Sequence, residues 1–172
     1  GVPEFEPSKI PFDAAIKDLY YSLQLEAIEV DIAALAIGNP HAVLEVDDIA
    51  KARVDIIGPE IESHPRFPER VNAGFMQIVS PRHIRLRVYE RGVGETLGCG
   101  SGACAAVVAG IENGKLGHQV KVSLPGGNAS VEWAGAGRPV YLRGPAHTVF
   151  SGEITLCNTG QGIPLDHAQY KE

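Results

Sequence analysis

Ser101-Gly102-Ala103-Cys104-Ala105-Ala106-Val107-Val108-Ala109-Gly110-Ile111-Glu112 is the stretch on which the fold turns. Its side chains are small and apolar on every side, so a helix built from them has no face to give to water. Such a helix belongs in the middle of a core. The apolar run inside it is too short to cross a bilayer.

Outward from this helix, the chain reads as short strands. Residues 20–27, 29–37, 41–46, 75–79, 84–89, 119–124, 129–133, 140–142 and 148–156 have β character. Ile84-Arg85-Leu86-Arg87-Val88 alternates apolar and polar, as a strand with one buried face does. Turn chemistry divides the strands at Gly38-Asn39-Pro40, Pro125-Gly126-Gly127-Asn128, Gly135-Ala136-Gly137 and Gly144-Pro145. A second helix is expected from Ile49 to about Ile57, capped by Asp47-Asp48 and stopped by Gly58-Pro59. The fold class is α+β: a curled, mixed, barrel-like sheet around one central apolar helix.

Composition narrows the function. The chain has 172 residues, a formal net charge of −6, 44% hydrophobic and 21% charged residues, the balance of a soluble globular domain. No Lys/Arg run offers a footprint for nucleic acid, and no segment is of membrane-spanning character. Three cysteines, Cys99, Cys104 and Cys157, fit a reduced cytoplasmic setting better than a disulfide framework. The opening Gly1-Val2-Pro3 carries no targeting pattern and reads as an internal or processed start.

The chemistry is concentrated just before the central helix, in Tyr89-Glu90-Arg91-Gly92-Val93-Gly94-Glu95-Thr96-Leu97-Gly98-Cys99-Gly100-Ser101-Gly102. Backbone N–H groups at a helix start have no intrahelical partner and, with the helix dipole, suit a carboxylate. The glycines let a ligand approach the backbone. A thiol placed there is expected to have a lowered pKa. Carboxylate cradle and thiolate together are what α-proton abstraction from an amino acid needs. From the residues alone other readings stay open: a cysteine near a helix start is more often a small buried hydrophobe. Glu90 and Arg91 also read as a strand-end ion pair, and Asn39, His41 and Asn72 as turn residues.

Gly38-Asn39-Pro40-His41, Arg66-Phe67-Pro68-Glu69-Arg70-Val71-Asn72-Ala73-Gly74-Phe75, the Glu90 to Cys104 stretch, Leu124-Pro125-Gly126-Gly127 and Gly144-Pro145-Ala146 recur in one family. In order and approximate spacing they resemble diaminopimelate epimerase, and specifically its carboxyl-terminal half. Glu4-Phe5-Glu6-Pro7 resembles the family's crossover between domains. The resemblance implies two pseudo-symmetric α/β domains, each with a cysteine at the start of its central helix. One thiolate removes the substrate's α-proton and the opposing thiol returns a proton to the other face, without pyridoxal phosphate or metal. The reaction interconverts LL- and meso-diaminopimelate in lysine and peptidoglycan biosynthesis.

Carried over residue by residue, the resemblance makes Cys99 the acid/base. Gly100 and Ser101 become backbone donors to the reacting carboxylate, and His41 and Glu90 hold the reacting amine. Asn39, Asn72 and Arg91 become contacts to the distal end of the substrate. Cys104 belongs in the core, and a Cys99/Cys104 metal site lacks two further ligands. Residues 1–147 are expected to form the domain and 148–157 a strand returning to the family's first domain. Residues 158–172 are expected to form a polar tail. No counterpart of the first half is found in the sequence, so this chain alone is expected to be inactive. Its expected partners are the substrate, that first domain and, in a homodimer, a second copy. The alternatives are an idle carboxylate-binding domain, or a related cofactor-free racemase acting on proline or hydroxyproline. The asparagines and Arg91 argue against the racemase, whose substrates lack a distal charged end.

Overall fold

The structure is a computed structural model, and it describes residues 1–153. Its strands are β1 (Tyr21–Gln24), β2 (Glu29–Ala36), β3 (Pro40–Glu45), β4 (Asn72–Ser80), β5 (His83–Glu90), β6 (Gly94–Thr96), β7 (Gln119–Leu124), β8 (Gly127–Trp133) and β9 (Val140–Arg143). They form one mixed sheet in the order β1-β2-β3-β4-β5-β7-β8-β9, with β6 on the free part of β5. The sheet curls without closing. Two neighbouring pairs, β3/β4 and β5/β7, are parallel, and the others are antiparallel.

Each parallel pair needs a crossover, and a helix supplies it. Helix α1 (Val54–Glu62) joins β3 to β4, and α2 (Gly100–Glu112) lies between β6 and β7. The two helices occupy opposite faces. Around α2 gather Leu35, Val43, Met76, Leu86, Val88, Val122, Val131 and Trp133, with Ala105, Ala106, Val107 and Val108 fully buried. Full burial of each valine contributes roughly 1.5–3 kcal/mol, so the all-apolar helix is stable only inside this wrapping. The other face packs Ile32, Ala34, Ala73 and Phe75 against Val54 and Ile61 of α1 and against Ile10, Phe12 and Phe67. That second core explains why β2 is continuously buried from Ile32 onward instead of alternating.

Helix α1 begins and ends later than the sequence predicts. Asp48 does not cap it: its Oδ1 accepts from the Ala50 N–H at 3.0 Å and its carbonyl from the Lys51 N–H at 3.1 Å, closing a turn of its own. The helix then runs through Gly58-Pro59. Gly58 is a point of close approach: a Cβ there would lie 2.7 Å from the Tyr89 ring. Short β6 and a 3-10 turn at Pro7–Lys9 have no clear sequence signal. Of the strand predicted over 148–156, residues 148–153 are exposed and in no strand, and the rest, with Cys157 and the tail, lies outside the described residues. Among the described residues no helix is long and apolar enough to cross a membrane.

Candidate active site

Strand alternation delivers the site. On β5, Ile84, Leu86 and Val88 face α2, so Glu90 continues toward the same side at the strand's end. Val43 and Met76 face α2 as well, which puts His41 and Asn72 on that side at the starts of β3 and β4. His41 and Asn72 are direct neighbours in the parallel register. All three polar residues therefore sit at the end of the sheet where α2 begins. Tyr89, out of phase with Glu90, packs into the opposite core.

Cys99 is the N-cap of α2, in extended conformation and 5% exposed. The first intrahelical bond runs from the Ala103 N–H to its carbonyl, 2.9 Å, so Gly100, Ser101 and Gly102 begin the helix without intrahelical acceptors. Gly100 is exposed and Ser101 half-buried, so the helix start opens to solvent. Gly102 is glycine for space: a Cβ would meet Val88 at 3.0 Å and the Cys99 sulfur at 3.3 Å.

The Cys99 thiol donates to Glu90 Oε2 at 3.0 Å, while Glu90 Oε1 accepts from the Thr96 hydroxyl at 2.5 Å. Ser101 Oγ is 3.7 Å from the sulfur. This corrects the lowered thiol pKa expected from the sequence. Burial, and then the hydrogen bond to the Glu90 carboxylate, push the Cys99 pKa up; the Gly102 N–H and the Ser101 hydroxyl pull the other way without prevailing. A helix start favours thiolate only if nothing nearby prefers the thiol, and here a carboxylate accepts its proton. Cys104 is buried in the α2 core and has its pKa raised by burial.

His41 is 1% exposed, with Nε2 3.0 Å from Asn39 Oδ1. Burial lowers its pKa to about 4, the nearby Glu90 charge opposing and Arg91 assisting. The imidazole is therefore neutral near pH 7, and Nε2–H donates to the Asn39 oxygen, which can only accept. Asn72 ties three strand ends together. Its Nδ2 donates to the Pro40 carbonyl at 3.0 Å and its Oδ1 accepts from the Arg91 N–H at 3.0 Å. Arg91 is exposed, and its Nη1 donates to the Glu69 carbonyl at 3.0 Å. The structure thus joins Cys99, Glu90 and Ser101 in one contact group, His41 with Asn39 in a second and Asn72 with Arg91 in a third.

Sequence reasoning missed several supports. Thr96 is one, and Gly126 is another: its N–H donates to the Leu97 carbonyl at 2.7 Å, and a Cβ on it would lie 2.9 Å from that same oxygen. The Leu124-Pro125-Gly126-Gly127 turn thereby braces the peptide leading into Cys99. Its glycine run was the available signal.

An open α+β sheet with a cysteine–glutamate pair at the start of a buried helix is the class of protein that fold and site define. The family model described as diaminopimelate epimerase matches residues 33–149. The chain belongs to the diaminopimelate epimerase family. Over 156 residues it is 54% identical to the diaminopimelate epimerase of Stutzerimonas stutzeri, and 57% identical to those of Alkalilimnicola ehrlichii and Nitrosomonas eutropha. Each match covers 91% of this chain and 56% of the relative, so the chain spans about half the length of these relatives. Among solved structures, a phenazine biosynthesis protein of the PhzF family from Enterococcus faecalis is similar with TM-score 0.44 and 16% identity, over 66% of this chain and 39% of that one.

Proposed function

We propose that residues 1–147 are one half of a cofactor-independent diaminopimelate epimerase, with Cys99 as one of its two acid/base groups. The observation that carries this reading is the 3.0 Å contact between the Cys99 sulfur and Glu90 Oε2 at the start of α2. The other thiol comes from the family's first domain. Exposed Leu97, two residues before Cys99, and exposed Leu142, against Gly100, suit a second protein surface.

In this reading the thiol waits protonated. The substrate's carboxylate is held by the N–H groups of Gly100 and Ser101, as the helix dipole favours. Its α-ammonium takes the Glu90 carboxylate as partner, with neutral His41 able to accept a further hydrogen bond. The opposing thiolate removes the α-proton from one face. Cys99 S–H gives its proton to the other face and becomes the thiolate. One C–H bond breaks, one forms, and the centre is inverted. With the ammonium neutralising Glu90, the thiolate left on Cys99 no longer faces an uncompensated carboxylate. Pairing of Glu90 with the ammonium thus offsets one cause of the raised Cys99 pKa. Arg91 and Asn39 serve the distal carboxylate and ammonium, and Asn72 holds Arg91 in place.

A second reading is favoured by that same raised pKa: a domain that holds carboxylates and does no chemistry. Loss of the α-deuteron from labelled diaminopimelate separates the two, measured with this chain alone and with a first domain from a family member added. Turnover in the mixture only, falling at least about 10²-fold in Cys99→Ser, is the expected result. Turnover by the chain alone overturns the half-enzyme reading, and no turnover in either favours the idle binder.

A further inference from the structure

We propose that Glu62, on α1 and remote from the thiol, is a positioning residue for the active site. It holds the turn that presents Glu90 to Cys99. Glu62 ends α1 and is 5% exposed. Its Oε1 accepts from the Gly92 N–H at 2.9 Å and from Arg70 Nη1 at 3.2 Å, and Oε2 lies 3.4 Å from the same nitrogen. Its own carbonyl accepts from the Val71 N–H at 3.1 Å.

Glu90 is the first residue of the turn closed by the Val93 N–H to Glu90 carbonyl bond, 3.1 Å. Inside it Gly92 has φ +72°, a conformation suited to glycine. The two successive N–H groups that follow Glu90 are both taken by side chains from elsewhere. Arg91 N–H goes to Asn72 Oδ1 on β4 and Gly92 N–H to Glu62 Oε1 on α1. The turn is thereby clamped to both elements that it passes.

Two costly features meet here. A carboxylate is buried, which is costly unless it is paired. Its partner Arg70 has φ +60°, strained for a residue with a Cβ. Satisfying the Gly92 N–H does not require either, because Gly92 is exposed and water would serve. What water would not do is fix where Glu90 points. A shift of the turn by about 1 Å is enough to break a contact whose geometry depends on a short separation.

The inference rests on the proposed chemistry only for naming Cys99 as the reacting group; its test needs no turnover. The pH profile of alkylation at the Cys99 peptide is read by mass spectrometry in the full chain, with Glu90→Gln as the reference for a thiol freed from its carboxylate. Glu62→Ala is expected to move the profile to lower pH, toward that of Glu90→Gln. Glu62→Gln keeps an oxygen for the Gly92 N–H and is expected to restore it. Should Glu62→Ala not fold, Glu62→Asp keeps the charge and shortens the reach to Gly92, and the same downward shift is expected. A folded Glu62→Ala or Glu62→Asp protein with the wild-type profile overturns the proposal, as does a Glu62→Gln profile that matches Glu62→Ala. Failure of the epimerase reading would leave these profiles unchanged, so the two failures are distinguishable.

Discussion

The Cys99 sulfur lies 3.0 Å from Glu90 Oε2, and the thiol proton is shared with a carboxylate rather than released to the helix start. That relationship sets the resting state of the site. Replacing the carboxylate with an amide in Glu90→Gln removes both the acceptor charge and the repulsion toward a thiolate. The Cys99 pKa is expected to fall, with about a tenfold gain in thiolate at neutral pH for each unit. Iodoacetamide alkylation of Cys99 as a function of pH measures it. A profile that stays in place would show that burial alone holds the thiol protonated.

His41 supplies a second pH dependence. Its pKa falls from the usual 6.5 to about 4 because the ring is buried. A proton is therefore bound more readily by the unfolded chain, and the stability that neutral His41 contributes is present above pH 6.5. It is lost as pH falls toward 4, to the extent of about 3 kcal/mol. Urea unfolding at pH 7 and at pH 4.5 measures the loss, and His41→Asn should flatten the difference between them. An equal loss in the variant would assign the acid sensitivity to other groups.

Much of this was legible in the sequence because the signals were local. The all-apolar run of α2 can only be buried, and Cys99 with its glycines marks the helix start. Alternation in Ile84-Arg85-Leu86-Arg87-Val88 marks β5 as a strand with one buried face. What escaped was tertiary. The raised thiol pKa depends on Glu90 reaching nine positions along the chain to the sulfur, which a rule about helix starts does not contain. Gly58-Pro59 reads as a stop, yet the glycine is there because Tyr89 lies against the helix. Glu62 carries no motif at all; its role emerges only once α1 is laid beside the Gly92 turn.

Gly126 tests whether the loop ahead of Cys99 is held from outside. A methyl group on it would press on the Leu97 carbonyl, 2.9 Å away, and strain the 2.7 Å bond that its N–H makes to that oxygen. Overpacking of this kind costs about 1–3 kcal/mol. Gly126→Ala is expected to lower stability by that amount and also to change the alkylation rate of Cys99. A loss of stability with an unaltered Cys99 rate would mean that the Leu124-Pro125-Gly126-Gly127 turn does not reach the thiol.

Gly58→Ala sets two effects against each other. In an exposed helix interior the change would gain about 1 kcal/mol from helix propensity. At this position the new Cβ would lie 2.7 Å from Tyr89 Cγ and 2.8 Å from its Cβ, atoms next to the backbone of β5 that have little freedom to move. Relieving that contact requires α1 to lift off β5, at about 1–3 kcal/mol. Overpacking is expected to win, with a Tm lower by about 2–4 °C for each net kcal/mol in a chain of this size. Because Glu62 rides on the same helix, lifting α1 should also loosen the Gly92 turn, so Gly58→Ala is expected to move the Cys99 alkylation profile in the same direction as Glu62→Ala. Scanning calorimetry checks the first effect and alkylation the second. A more stable Gly58→Ala protein would mean that α1 rests on β5 less tightly than the Tyr89 contact implies.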